Sequence, residues 1–243
     1  MINKLITLII IFFVTTTLAV ANSFKFETKN IEIFKDKNKI IAGKGKAISS
    51  DNKLEINADK FEYLKDINLL RSNGNGKAII KSKNLIIKFD NAIFDQKKSI
   101  IEANGNIQVN QTDKNFVIET EKIFYDQKNG LINSTAKTKL KDNFKNTYLV
   151  DSFIFEINKN LLKVTNLEFK DKDKNTLKTE LAYINTLSGK LFGKDVDMVF
   201  DNSSFSNNNE PRLKANSITK EENETELTKG IFTSCKKRDG CPP

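Results

Sequence analysis

Beyond residue 23 the chain is dominated by short runs in which apolar and polar residues alternate. One half-motif reads apolar-x-apolar-x-small-or-apolar, then two intervening residues, then apolar-x-apolar. It occurs at Phe24, Phe26, Thr28, Ile31 and Ile33, and again at Leu54, Ile56, Ala58, Phe61 and Tyr63. Further copies are Leu85, Ile87, Phe89, Ala92, Phe94 and Phe116, Ile118, Thr120, Ile123, Tyr125. A fifth reads Tyr148, Val150, Ser152, Phe155, Ile157, and a worn sixth reads Leu177, Thr179, Leu181, Ile184. A second half-motif, an apolar pair followed by small residues, falls between these copies. Its members are Ile40-Ile41, Leu69-Leu70, Ile100-Ile101, Leu131-Ile132, Leu161-Leu162 and Leu191-Phe192. Copies therefore recur about thirty residues apart, the signature of a repeat architecture.

Period-two alternation predicts strands. The segments between them carry turn residues, as in Asp36-Lys37-Asn38, Asp66-Ile67-Asn68, Lys128-Asn129-Gly130 and Ser188-Gly189. Each repeat is then two strands, about twelve in all, joined as an antiparallel meander. No proline interrupts Ser23 to Glu210, as unbroken ladders require. The steps Ala58 to Phe61, Phe89 to Ala92 and Thr120 to Ile123 span three residues rather than two. An odd step swaps the faces of a strand unless a bulge absorbs it. Repeated in every copy, it predicts a long all-β antiparallel sheet folded over along a line, an open solenoid or jelly roll rather than a compact barrel. The continuous stripes, with Gly43, Gly45, Gly74, Gly76 and Gly105 on the second strands, predict a partly open interior.

The first residues read as an export signal. Lys4 precedes a run from Leu5 to Val14 that is apolar apart from Thr7, and Ala19-Val20-Ala21 offers a cleavage site. The run is too short for a spanning helix, which needs about 20 apolar residues. Cleavage after Ala21 would remove Lys4 and lower the net charge from +9 to +8. The expected organisation is a signal at 1–21, the repeat domain at 22–201, and weak strands with a cysteine-containing linker at 202–243.

Composition then removes most chemistry. With no His there is no Ser-His-Asp triad and no imidazole ligand. Two cysteines alone cannot form a four-thiolate zinc site, so no metal or cofactor is expected. The positive charge comes from Lys, with only Arg71, Arg212 and Arg238 carrying a guanidinium. Nucleic-acid readers favour Arg, so the lysines are read as a solvated exterior. A carbohydrate-active enzyme on a β-solenoid needs paired carboxylates on one face. Glu55, Asp59, Glu62 and Glu119 sit at turns and outward alternate positions and form no such dyad. No enzyme activity is expected.

Leu54-Glu55-Ile56-Asn57-Ala58-Asp59-Lys60-Phe61-Glu62-Tyr63 and Ile101-Glu102-Ala103-Asn104-Gly105-Asn106-Ile107 resemble the OstA-like periplasmic repeats of the lipopolysaccharide transport proteins. The tail, Pro211 to Ser217, Lys229 to Cys235 and Asp239 to Pro243, is similar to the junction between periplasmic domain and outer-membrane barrel in the LptD-type assembly proteins. The repeats themselves are shared with LptA- and LptC-type bridge proteins, which makes a soluble periplasmic bridge the alternative.

The resemblance implies a β-jellyroll, or β-taco, that shields lipid A acyl chains of lipopolysaccharide in an apolar groove, in the periplasm and at the outer membrane. Groove candidates are Leu54, Ile56, Phe61, Leu85, Ile87, Phe89, Phe116, Ile118 and Ile123. An LptA-type bridge would pair with the open edge at Phe24, Phe26, Ile31 and Ile33. An LptE-type lipoprotein would accompany the barrel expected after Pro243, so the 243 residues are expected to be a fragment or a truncated product. Two cysteines in an exported chain suggest disulfide chemistry. From the residues alone, Cys235 and Cys241 pair with each other or with cysteines elsewhere; the resemblance implies partners in the barrel.

Overall fold

The structure is a computed structural model that describes residues 24–236 apart from 112–115, 144, 202, 204, 206–208 and 222–223. Signal segment 1–21 and Cys241 lie outside the described residues. The described chain forms one antiparallel sheet of 20 strands. The predicted all-β folded sheet is what the chain adopts.

Local pairing shows how the fold arises. Along one edge, strand Leu69–Ile80 meets two partners: Lys60–Leu64 along its first part and Leu54–Ala58 along its last. Val117–Asp126 likewise pairs with Thr138–Lys141 at one end and Leu131–Ser134 at the other. Leu161–Lys170 divides between Ser152–Glu156 and Thr147–Val150. Every rung thus has two arms meeting at a corner, and the stacked corners form a crease along the sheet. Five of the twelve expected rungs break completely at the corner into two short strands, and Arg212–Lys220, Thr225–Thr228 and Ile231–Thr233 follow the last of them, which is why 20 strands replace the expected twelve.

The odd steps mark the crease. Ala58 and Phe61 both point inward, with Asp59 and Lys60 outside between them; Phe89 and Ala92, and Thr120 and Ile123, behave alike. Two consecutive outward residues let both arms face one interior. On alternate strands the corner is a bulge, with register shifts between Asn73 and Gly76, Lys88 and Asn91, and Thr120 and Lys122. The bulged residues turn left-handed: Gly74 and Asn75 at φ 78° and 47°, Gly105 and Asn106 at 78° and 45°, Asn166 at 50°. Glycine and asparagine tolerate that region best. In the fifth and sixth copies the corner lies one frame away from the expected register. Phe153 and Ala182, rather than Ser152 and Leu181, are the buried residues following Val150 and Thr179. Pairing decides this, because Phe153 faces Val164 and Val164 faces Ala182.

The interior is wedge-shaped. Away from the crease the inner row of one half-sheet is bulky throughout, running Tyr63, Leu70, Phe94, Ile101, Tyr125, Ile132 and Phe155. Beside the crease Ser72, Ala92, Ala103 and Ser134 mix small residues in among larger ones. Small side chains belong where two layers converge. The glycines do not open the interior, contrary to expectation. A Cβ at Gly76 would overlap the Phe89 ring, one at Gly45 would overlap the Glu27 carbonyl, and Gly74 and Gly105 serve the bulges.

Candidate functional site

The nine groove candidates come together in one continuous core, and none is more than 7% exposed. Ile56, Ile87 and Ile118 lie on one inner face, and Ile56 and Ile87 both pair with Ala78. Leu54 and Leu85 flank Ile80 nearer the turns. Phe61, Phe89 and Ile123 sit beside the crease, and Phe116, on the same face as Ile118, packs against Tyr148 with ring centroids 5.8 Å apart. The two half-sheets touch: Phe24 from one arm packs against Tyr63 and Phe94 of the other, at ring separations of 5.7 and 5.6 Å. Where Leu85, Val109, Gln111, Phe116 and Ile118 face Phe155 and Thr186, the space left is about 10 Å³, at most one water. The trough is closed on itself.

Opposite the crease the turns form two rims, and clefts lie between them. One of about 380 Å³ has Leu54, Ile80, Phe94 and Tyr125 on its floor and Lys53 and Lys83 at its edge. A second, of about 590 Å³, lies toward the other end between Asp142, Tyr148, Asp171, Leu191 and Lys220. Both combine apolar floor with polar edge. The alternation pattern did not expose these residues, because they belong to turns and strand ends; the aromatic residues Tyr63, Phe94 and Tyr125 closing three copies of the first half-motif were the available signal. Tyr63 places its hydroxyl 3.2 Å from Asn68 Oδ1 and 3.1 Å from Gln96 Oε1. Burial pushes the Tyr63 phenol up; at Tyr125 burial, aided by the Asp126 charge, raises it to about 12. Burial and then Asp142 raise Tyr148. These phenols remain neutral hydrogen-bonding groups at neutral pH.

The outer face is polar and largely self-paired. Lys141 meets Glu119 at 3.0 Å, Lys178 meets Glu168 at 2.9 Å, and Lys214 meets Asp197 at 3.5 Å. Glu62 lies between Lys39 and Arg71, whose hydrogen bonds hold its carboxyl below the usual range. Such exposed pairs favour solubility more than stability. Among the described residues no cluster of three or more Cys, Asp or Glu is placed to hold a metal.

The edge residues divide. Phe24 is buried and Phe26 half-buried, whereas Ile31 and Ile33 are 48% and 55% exposed. Both isoleucines belong to the inner face, since they pair with buried Ala42 and Ile40. Among the described residues, strands Phe24–Thr28 and Ile31–Phe34 each have a partner on one side only. The far end matches: among the described residues Ile231–Thr233 pairs only with Arg212–Lys220, and Phe232, opposite buried Leu213, is 53% exposed. Cys235 lies exposed just beyond; its N–H donates to Thr233 Oγ1 at 3.2 Å and its carbonyl accepts from Arg212 at 2.7 Å.

No curated protein matches the chain. Among solved structures, one that resembles it is LptH of Pseudomonas aeruginosa, described as the LptA-homologous periplasmic component of the conserved lipopolysaccharide transport device. The sequences are 12% identical, the TM-score is 0.42, and the alignment covers 48% of this chain and 94% of that one. The family model for OstA-like proteins matches residues 37–208, most of the folded sheet. By that match, and with its creased repeat sheet, the chain belongs to the OstA-like protein family.

Proposed function

We propose that this chain is a non-enzymatic part of lipopolysaccharide transport, exported to the periplasm, whose folded sheet shields lipid A acyl chains on their way to the outer membrane. The observation that carries this reading is an apolar inner surface running the length of the sheet and left uncovered at both ends, at Ile31 and Ile33 and at Phe232. Burying an acyl chain is favourable by about 0.8 kcal/mol per methylene, so a trough guides lipid without chemistry. The one-sided edge strands at each end suit pairing with an LptA-type bridge. The finer reading is an LptD-type periplasmic domain, with Cys235 and Cys241 bonded to a barrel and an LptE-type lipoprotein beside it. The alternative, a soluble LptA- or LptC-type bridge, shares the trough and has no barrel.

Photo-crosslinking tests the shared part. A photoreactive residue at Ile56, Ile87 or Ile118 is expected to capture lipopolysaccharide, while Glu55 and Glu119, on the outer face, capture little. Equal labelling of the two sets would remove the lipid-trough reading.

A further inference from the structure

A closed trough must open to receive an acyl chain, and the rims hold a feature suited to controlling that step. Lys81–Lys83 and Ile157–Lys159 each form a single 3-10 turn, ended by a left-handed asparagine, Asn84 at φ 49° and Asn160 at φ 55°. Both turns have the form x-x-Lys-Asn-Leu. They lie on opposite rims and meet across the mouth, where Lys83 Nζ donates to Asn158 Oδ1 at 2.6 Å. Beneath them the interior is pinched to its 10 Å³ cavity, capped by Gln111 and Thr186. Lys83 also edges the 380 Å³ cleft.

We infer that this contact is a latch on a lateral gate, which an anionic amphiphile opens by drawing Lys83 away from Asn158. The inference rests on the lipid-trough reading above. Three observations combine in it. The ammonium is held by a neutral amide, and among the described residues no carboxylate lies within ion-pair distance of it. A phosphate binds an ammonium more strongly than an amide oxygen does, so a phosphorylated headgroup competes for Lys83. The crease opposite, with its bulges and left-handed Gly-Asn pairs, supplies the hinge. A headgroup settled in the cleft thereby places its acyl chains over Leu54, Ile80 and Phe94 as the rims part.

The test ties the rims together. In a Cys235→Ser, Cys241→Ser background of the full chain, Lys83→Cys and Asn158→Cys are joined by a short bismaleimide. Uptake of the apolar fluorophore N-phenyl-1-naphthylamine and retention of purified lipopolysaccharide are measured before and after. Crosslinking is expected to lower both at least tenfold, with the circular dichroism spectrum unchanged. A separate variant, Asn158→Asp, strengthens the latch by an exposed ion pair and is expected to slow fluorophore uptake about two- to fivefold. Uptake unaltered by complete crosslinking, or by Asn158→Asp if the cysteine variant does not fold, overturns the gate. If crosslinking blocks the fluorophore but the uncrosslinked chain retains no lipopolysaccharide, the gate stands and the transport reading falls. If lipopolysaccharide is retained equally in both states, the gate falls and the transport reading stands.

Discussion

Gly76 shows how one side chain's absence shapes the interior. The Phe89 ring occupies the space that a Cβ at position 76 would take, so Gly76→Ala is an overpacking change expected to cost about 1–3 kcal/mol. A double-mutant cycle isolates the steric clash. In a Phe89→Ala background, Gly76→Ala should be nearly neutral in urea denaturation; an undiminished penalty would place the strain elsewhere. In the sequence this glycine reads as a gap in the core stripe. Its meaning depends on a ring thirteen positions away, which alternation along one strand does not reveal. The inward placement of the nine groove candidates was legible because alternation alone selects it. Lys83 and Asn158 were not: nothing in either turn points to a partner 75 residues distant.

At the scale of the element, the corner is the recurrent device. Asp59 accepts a hydrogen bond from Asn75, Asp90 from Asn106 and Asp151 from Asn166, at 2.6, 2.8 and 2.8 Å. Each clasp joins an acidic residue at a corner to an asparagine held left-handed on the next strand. Asn106→Ala loses both the clasp and the favourable backbone choice, and about 1–2 kcal/mol of stability is expected to go with them. Asn106→Gly keeps the backbone freedom and should lose clearly less in thermal denaturation. If the two variants are equal, the left-handed conformation is not what the asparagine provides. The bend itself was legible from the three-residue steps. The frame of the fifth and sixth copies was not, since Ser152 and Leu181 fit the apolar-or-small pattern as well as their neighbours do. Cross-strand pairing with Val164 chose between them.

At the scale of the whole molecule, the ends matter most. Ile31 and Ile33 are exposed on an edge strand, so Ile31→Lys with Ile33→Lys should change monomer stability by no more than about 0.5 kcal/mol. Association of the N-terminal edge with a purified LptA-type bridge protein is expected to weaken at least tenfold. Ile93→Lys on the outer face, where the residue is 38% exposed, serves as the control. Equal effects of the two changes on binding would show that the edge is not the docking surface.

Strands, inward face, repeat and crease are all written in the local sequence, because each is a property of backbone period and bulge chemistry within a few residues. Packing in three dimensions settled the rest: the trough is shut, its ends stay uncovered, and two turns from distant repeats meet across its mouth. Those outcomes depend on how far the two arms close toward each other. That closure is set by the summed volumes of side chains on separate strands, and no single stretch of chain encodes it.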